Sequence, residues 1–391
     1  MKRRLLLTAA CLLAGAAAQS QQYQTTRPGA LVDTNPAAYV LNERVVTRVF
    51  SGRNEVVCTF CLLQVLTAAY RLGNAKVRGE IKEALQSPAP AELSDALLAA
   101  ADAEPTLNGT LMGYYRPATF AACDGTAGTR QQARCKSILD FVRGRGSAVD
   151  FAKPETVRLI NSQVERATNG KIRQLFTSLA ADTSLIFASA LVFRDKWGRQ
   201  LEAQPGVFRT DAGPVNTEML YKETWLPLLD GSTDGVIGVS LSYRNDAIRM
   251  FLFTTTDGSP VQDKLRQRHY QALVGEHNIT YTAVTLPSFN IDSKKYSYID
   301  LAQQMGIREM FVRGLGADDR LLVDQLVHKA VISSDRHGTE AAGAAGIGLV
   351  PTSLPPKPFP ARFDQPFVCS LVHVELGVPI FTAYIHDPTQ K

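Results

Sequence analysis

The first residues in the chain that could do chemistry are Cys58 and Cys61, which enclose Thr59 and Phe60. A Cys-x-x-Cys spacing is typical of sites of thiol–disulfide exchange. An apolar helical run at 62–72 follows the pair, but the βα unit that carries a thioredoxin-like site does not precede it. Buried structural cysteines are therefore the favoured interpretation, and redox chemistry is the alternative.

Other signatures of catalysis are scarce. The sequence has no Gly-x-Ser-x-Gly elbow, no His-Glu-x-x-His motif, no phosphate-binding loop and no dense His/Asp/Cys cluster. Gly343, Gly346 and Gly348 have the spacing of a nucleotide loop but lack its strand-to-helix context. The six histidines are scattered, at His269, His277, His328, His337, His373 and His386. We therefore expect neither an enzyme nor a bound cofactor or metal ion.

A tract of small residues at 338–356 is the most unusual feature of the sequence. It lies between two apolar runs, 326–332 and 367–374, that indicate strands, and it is too long for a turn. In an extended conformation Glu340 would lie on one face, and the opposite face would carry only uncharged residues: Thr339, Ala341, Gly343, Ala345, Ile347 and Leu349. Composition alone leaves two interpretations open, a flexible linker or a segment that can lie exposed or join a sheet as a strand.

Residues 1–18 have the features of a secretory signal peptide. Lys2, Arg3 and Arg4 precede an apolar run at 5–13 and a small-residue cleavage site at 16–18. That run is too short to span a bilayer, and no later segment is apolar enough to do so. Cleavage would reduce the 42 basic side chains to 39 against 37 acidic ones, so nucleic acid is not an expected partner. We expect a soluble, secreted, extracellular protein without a membrane anchor.

Secretion also bears on the cysteines and on two sequons. Five cysteines remain after the signal, so at least one thiol is unpaired, and Cys123 and Cys135 could close a local loop. Asn108-Gly-Thr and Asn278-Ile-Thr are N-glycosylation sequons and indicate surface positions. Basic residues cluster at 130–145. A solvated helix face is one interpretation of this cluster, and weak glycosaminoglycan binding is the other.

Helical patterns dominate the first half of the chain and strand patterns the second. Helices are predicted at 56–85 with a break at Gly73, at 154–168 with Pro154 at the start, and at 298–305. Strands are predicted at 183–193, buried on both faces, and at 235–241, 247–255 and 279–286. This order favours an α+β fold over a doubly wound one. Because no interdomain linker follows residue 30, we expect a single domain over residues 30–391.

Six segments in a fixed order connect these elements to a known family. They are Gly170-Lys-Ile172 with Asp182-Thr183, Lys196-Trp197, Leu286-Pro-Ser-Phe-Asn-Ile291, Met305-Gly-Ile307 with Phe311, Val327-His-Lys-Ala330 leading to Gly338-Thr-Glu-Ala-Ala-Gly-Ala344, and Phe363-x-x-Pro366-Phe367. Together they resemble the serpin family over almost the whole chain after the signal. The resemblance implies a monomer with three β-sheets, eight to nine helices and an exposed reactive-centre loop at about 338–362.

In the serpin family this loop is bait for a protease. After cleavage it inserts as a new strand into the central sheet and distorts the acyl-linked protease. The resemblance assigns the reactive bond to Thr352-Ser353, with Leu349, Val350 and Leu354 as alternative scissile residues. A Thr preceded by Val-Pro suits a serine protease with a small or apolar pocket, elastase-like or chymotrypsin-like. The inserting hinge is assigned to Gly338, Thr339, Glu340, Ala341, Ala342, Gly343, Ala344 and Ala345.

The resemblance also assigns a loop-entry region to Cys61, Ser189, Trp197 and His328. The chain departs from the family there. Serpins usually have Ser-Pro-x-Ser where this chain has Cys58-Thr-Phe-Cys61, Asn where it has Ser189, and an acidic residue where it has Arg336. The leading hypothesis is a suicide inhibitor, and the alternative is a non-inhibitory serpin that acts as a carrier, storage or binding protein.

Overall fold

The computed structural model describes residues 36–50, 52–87, 106–117, 146–274, 278–292, 296–315, 322–339 and 356–390, with the single positions 90, 99 and 104. Residues 34–391 form one compact unit. Four predicted features lie outside the described residues: the signal at 1–18, the loop from Glu340 through Thr352 and Ser353, the Cys123–Cys135 segment, and the basic cluster. Within the described part, no helix is both long and apolar enough to cross a membrane.

A central sheet with six strands in the described residues organises the molecule. Its strands are β2 (Leu107–Tyr115), β3 (Gly146–Ala148), β4 (Leu185–Phe193), β11 (Phe289–Asp292), β12 (Tyr296–Ser297) and β13 (Gln325–Ser334). Their order is β11-β13-β4-β2-β3, and β12 pairs with the same strand β13. All nine residues of β4 are buried, as the continuous apolar run predicted.

The described residues form two further sheets. A nine-stranded sheet contains β1 (Glu55–Val57), β6 (Glu202–Thr210), β7 (Gly213–Asp230), β8 (Val236–Ser242), β9 (Ile248–Thr255), β10 (Ile279–Pro287), β15 (Phe359–Arg362), β16 (Phe367–His373) and β17 (Val378–Ile385). Its order is β1-β17-β16-β9-β8-β7-β10-β15, with β6 paired to β7. A two-stranded sheet joins β5 (Asp195–Lys196) to β14 (Gly338–Thr339).

Seven α-helices lie in the described residues, against the eight to nine expected. They are α1 (Pro36–Val49), α2 (Thr59–Leu72), α3 (Ala75–Leu85), α4 (Pro154–Ala167), α5 (Val261–Lys264), α6 (Gln267–Val274) and α7 (Ile299–Gln304). The predicted break at Gly73 separates α2 from α3, because the Asn74 side chain accepts from the amides of Lys76 and Val77 and starts a new helix. The α+β class and the three sheets are confirmed.

Helices cover the central sheet on both faces. On one face, α2 belongs to the main core together with Phe187 and Leu191 of β4. On the other face, Ile160 and Val164 of α4 pack in a smaller core with Ala188 and Ala190 of the same strand. Because side chains alternate along a strand, odd-numbered residues of β4 face α2 and even-numbered ones face α4. A strand added beside β4 would be buried on both faces.

Candidate functional site

The seam between β4 and β13 is the feature of the central sheet that could accept another strand. The two strands are parallel neighbours, paired from Ile186 with Gln325 to Val192 with Val331. A strand antiparallel to both could enter between them and replace one parallel ladder with two antiparallel ladders, which are slightly more stable per residue. The chain leaves β13 and turns back through a tight turn, in which the amide of Asp335 donates to the carbonyl of Gly338 (2.9 Å).

Gly338 fixes the direction in which the chain leaves this turn. β14 pairs antiparallel with β5, so that Gly338 lies opposite Lys196 and Thr339 opposite Asp195. Gly338 has φ of 142°, and a Cβ on it would lie 2.3 Å from the carbonyl oxygen of Asp195 and 2.5 Å from the Cα of Lys196. Only glycine fits this position. The first two predicted hinge residues therefore already form a short antiparallel strand next to the end of β4.

Five residues, Trp197, Tyr243, Asp335, Gly338 and Thr339, form what we call the hinge cluster. The indole Nε1 of Trp197 donates to the carbonyl of Asp335 (2.8 Å). Its ring stacks on Tyr243, with centroids 4.5 Å apart and planes 9° apart. The Tyr243 hydroxyl and the Thr339 hydroxyl share a buried hydrogen bond of 2.8 Å. Burial raises the pKa of Tyr243 well above its ordinary value, so the phenol stays neutral in this contact.

The Tyr243→Phe variant tests the anchoring of the hinge. Loss of the Tyr243 hydroxyl leaves the buried Thr339 hydroxyl without this partner. We therefore expect the free energy of unfolding to be about 1–2 kcal/mol lower than that of the unmodified protein. Denaturant unfolding followed by tryptophan fluorescence measures the difference. Tyr221→Phe is a matched control, because Tyr221 is remote from the hinge in sequence and its side chain lies in a solvent-accessible contact with Glu223. Equal losses in the two variants would contradict the anchoring role.

A second group of residues, which we call the mid-sheet cluster, lies under the middle of the seam: Cys58, Cys61, Ser189, Tyr298 and His328. Ser189 of β4 lies opposite His328 of β13 in the ladder. Cys58 and Cys61 form a disulfide bond at the start of α2. The Sγ atom of Cys58 caps this helix by accepting from the amide of Cys61 (3.0 Å). Both cysteines are buried, as predicted, and they are paired with each other.

His328 is fully buried at the seam. Its ring stacks on Tyr298 (5.4 Å, 11°), and the Tyr298 hydroxyl accepts from the amide of Cys58 (3.0 Å). Neither ring nitrogen makes a hydrogen bond of normal geometry with a described residue. Burial lowers the pKa of His328 to about 3, and a weak interaction with the Ser189 backbone offsets part of this shift. The imidazole is therefore neutral at physiological pH.

This depressed pKa predicts a loss of stability in acid. The unfolded chain takes up a proton below about pH 6.5 whereas the folded chain does so only near pH 3, so protonation favours unfolding between these values. We expect His328 to lower the free energy of unfolding by roughly 1.4 kcal/mol for each pH unit below 6.5. His373 also has a lowered pKa, so the comparison must be with a His328→Gln variant. Parallel stability curves for the two proteins between pH 7 and 4.5 would refute the prediction.

The mid-sheet cluster also has the composition of a metal site. The ligand atoms of Cys58, Cys61 and His328 lie within 4.8 Å of one another. The two sulfurs are bonded to each other, however, and a thiolate is the form that binds a metal. In the disulfide form this group therefore offers an imidazole but no thiolate ligand.

The four predicted loop-entry residues separate into two places. Cys61, Ser189 and His328 meet in the mid-sheet cluster, whereas Trp197 belongs to the hinge cluster. Eight residues of extended chain separate Ser189 from Trp197, a distance of about 25 Å. Sequence reasoning missed Tyr243 and Tyr298, which come from distant segments and carry no motif. The exposed side chain of Arg336 donates to His337 (3.2 Å).

The two sequons differ in their surroundings. Asn278 is exposed, with φ of 60°, directly before β10. Asn108 lies within β2, opposite Val192 of β4, and its side chain is outside the described part. Cys369 is a buried free thiol, consistent with the expected unpaired cysteine.

Comparison with known proteins connects this geometry to one family. The family model described as "Serpin (serine protease inhibitor)" matches residues 41–388. A serine protease inhibitor of Rattus norvegicus is 30% identical over 254 residues, which cover 60% of this chain and 59% of that protein. Alpha-1-antiproteinase of the same species is 31% identical over 257 residues, covering 62% and 61%. The chain thus spans about three fifths of the length of the curated relatives it matches.

Solved structures show the same fold. The thermophilic serpin tengpin in its native state superposes with a TM-score of 0.75 at 16% identity, over 93% of this chain and 95% of that one. Serpin-12 of Manduca sexta gives a TM-score of 0.75 at 16% identity, over 91% and 99%. At this identity the likeness concerns the fold alone.

Proposed function

The chain belongs to the serpin family, and from this premise we propose that it is a secreted suicide-substrate inhibitor of serine proteases. Its reactive-centre loop is the bait, and the seam between β4 and β13 receives the loop after cleavage. One observation carries the proposal: β14 pairs antiparallel with β5, which directly follows β4, and β4 forms a parallel seam with β13.

The register of β14 specifies how insertion would continue. Gly338 pairs with Lys196 and Thr339 with Asp195. If the same register continues, Ala345 comes to lie opposite Ser189, and residues 340–349 lie opposite 194–185, which are β4 and the residue that follows it. Ten residues of strand span about 33 Å. Odd-numbered loop residues would then face the main core and helix α2, and this is the face on which the sequence has no charged residue.

The chemistry starts at the proposed reactive bond. The serine Oγ of the protease attacks the carbonyl carbon of Thr352, the peptide bond to Ser353 breaks, and the amine of Ser353 takes a proton and leaves. The protease remains joined to Thr352 through an ester. Insertion of the loop then moves the attached protease along the sheet by a distance on the order of 40 Å. Distortion of its catalytic site during this movement prevents hydrolysis of the ester.

The residues around the reactive bond restrict the target. Val350, Pro351 and Thr352 are apolar or small, and the loop has no basic residue before Lys357. We therefore propose a protease with a small or apolar pocket, elastase-like or chymotrypsin-like. Secretion is supported by the signal sequence, and glycosylation at Asn278 by its exposure. Glycosylation at Asn108 and weak glycosaminoglycan binding at 130–145 remain proposals from sequence.

Incubation with a panel of serine proteases tests the proposed function. We expect elastase-like or chymotrypsin-like enzymes to form a covalent complex that survives denaturing electrophoresis, and trypsin-like enzymes to form none. Intact mass of the released fragment identifies the bond, with Ser353 expected at its new N-terminus. If the loop is cleaved but no protease of the panel forms a covalent complex, the inhibitor hypothesis is rejected and the carrier or storage role remains.

A further inference from the structure

The mid-sheet disulfide occupies an unusual position for a purely structural bond. Cys58 and Cys61 are only three residues apart, so the bond closes a very short loop and restricts the unfolded chain little. It lies at the N-terminus of the 14-residue helix α2, under the seam through which the loop would enter. Both cysteines are nearly inaccessible, with 0% and 2% of their surface exposed. A reductant can reach the sulfurs only when the surrounding structure opens locally.

The start of helix α2 determines which of the two sulfurs is attacked in thiol–disulfide exchange and which one leaves. The amide of Cys61 donates to the Sγ of Cys58, and the positive end of α2 lies at the same place. Both effects stabilise a thiolate on Cys58. An attacking thiolate would therefore bond to the Sγ of Cys61 while Cys58 leaves as thiolate.

The redox state of Cys58 and Cys61 determines which hydrogen-bond partners His328 has. In the disulfide form neither ring nitrogen makes a hydrogen bond of normal geometry with a described residue, and the fully buried ring has only its interaction with the Ser189 backbone as a polar contact. A ring nitrogen and the two sulfurs lie within 4.8 Å of one another. Reduction creates two S–H donors at this place, and a thiol can both donate to and accept from a neutral imidazole. The reduced form can therefore satisfy a buried group that the oxidised form leaves unsatisfied.

We propose that Cys58–Cys61 is a reversible thiol–disulfide site that controls opening of the central sheet, with His328 as the group that senses its redox state. In the oxidised protein the unsatisfied imidazole lies across the ladder from Ser189, so parting of β4 and β13 lets water reach it and lowers the cost of opening. In the reduced protein the imidazole is paired and the seam is held closed. The consequence for protease trapping depends on the proposed function, whereas the control of sheet opening does not.

A dithiol is the reductant for the Cys58–Cys61 disulfide. One thiolate of the dithiol attacks Cys61, Cys58 leaves with the electron pair and takes up a proton, and a mixed disulfide remains. The second thiol of the reagent then displaces Cys61 and closes its own disulfide. Two electrons and two protons pass to the protein, and the reagent is oxidised.

Amide hydrogen exchange in the two redox states tests this inference without any protease. The protein is treated with dithiothreitol or left oxidised, and the state of Cys58 and Cys61 is verified by alkylation and mass spectrometry. We expect exchange at the amides of β4 and β13 to be about tenfold slower in the reduced protein. Equal exchange, faster exchange on reduction, or a disulfide that resists excess dithiothreitol would each overturn the proposal.

Two variants separate the mid-sheet pair from the other cysteines. A Cys58→Ser/Cys61→Ser protein keeps hydroxyl donors but has no disulfide, so it should exchange slowly with and without reductant. A His328→Leu protein keeps the disulfide but lacks the imidazole, and its exchange should not respond to reduction. A response in the serine variant would assign the effect to another cysteine, and a response in the leucine variant would show that His328 does not sense the redox state; either result would overturn the proposal. Failure to trap proteases together with a redox-dependent exchange rate would reject the proposed function and leave this inference standing.

Discussion

Under the proposed function, replacing Ala345 with arginine is expected to leave cleavage of the loop intact and to reduce the yield of covalent complex at least about 100-fold. In the register of β14, Ala345 would lie opposite Ser189, on the face of the sheet that packs against α2. A guanidinium buried there beside the neutral imidazole of His328 lacks a counter-charge and costs several kcal/mol. Every 1.4 kcal/mol changes a rate tenfold, so insertion would fall behind hydrolysis of the ester.

Densitometry of denaturing gels measures both outcomes for Ala345→Arg in one reaction. The band of the covalent complex should disappear, while the band of the cleaved protein accumulates at the rate seen for the unmodified chain. Ala345→Ser is the matched control, because a small uncharged side chain fits the same face. If Ala345→Arg formed complex as well as Ala345→Ser, the inserted register derived from β14 would be wrong.

Cleavage of the loop without formation of a complex is expected to raise the melting temperature by on the order of 20 °C. A non-target protease can be used for this cut. Insertion of residues 340–349 would replace the parallel ladder between β4 and β13 with two antiparallel ladders. Each new backbone hydrogen bond contributes about 0.5–1.5 kcal/mol, and 1 kcal/mol moves the melting temperature of a large domain by about 2 °C.

The Ala345→Arg protein supplies the control for this thermal shift. Cleavage at the same bond should leave its melting temperature within a few degrees of the uncut value, because its loop is arrested near the mid-sheet cluster. Scanning calorimetry of the four samples gives the comparison. An unchanged melting temperature in the unmodified chain would favour the carrier or storage role.

Much of the fold follows from patterns that are local in sequence. The continuous apolar run at 183–193 predicted β4, because a strand buried on both faces has no polar alternation. The interruption of the helical pattern at Gly73 predicted the break between α2 and α3, and Asn74 caps α3 at its N-terminus. Pro154 marked the start of α4. Each prediction needed only a few neighbouring residues.

The site depends on pairings that are distant in sequence, and these could not be predicted. Tyr243 meets Thr339 across 96 positions, and Tyr298 meets Cys58 across 240. No periodicity encodes such contacts, which follow from the order of strands in the sheets. The spacing of Cys58 and Cys61 left both a structural and a redox interpretation open. The redox interpretation is supported by their position under the seam, beside the buried His328, which the sequence alone could not show.

The crystal structure of the loop-cleaved protein tests most directly the claim that the seam between β4 and β13 receives the loop. We expect a seven-stranded central sheet in which residues 340–349 lie antiparallel between these strands. Ala345 should lie opposite Ser189, and the pairing of Ser189 with His328 should be gone. A cleaved protein in which β4 and β13 remain paired as they are in the intact chain would show that this seam does not receive the loop.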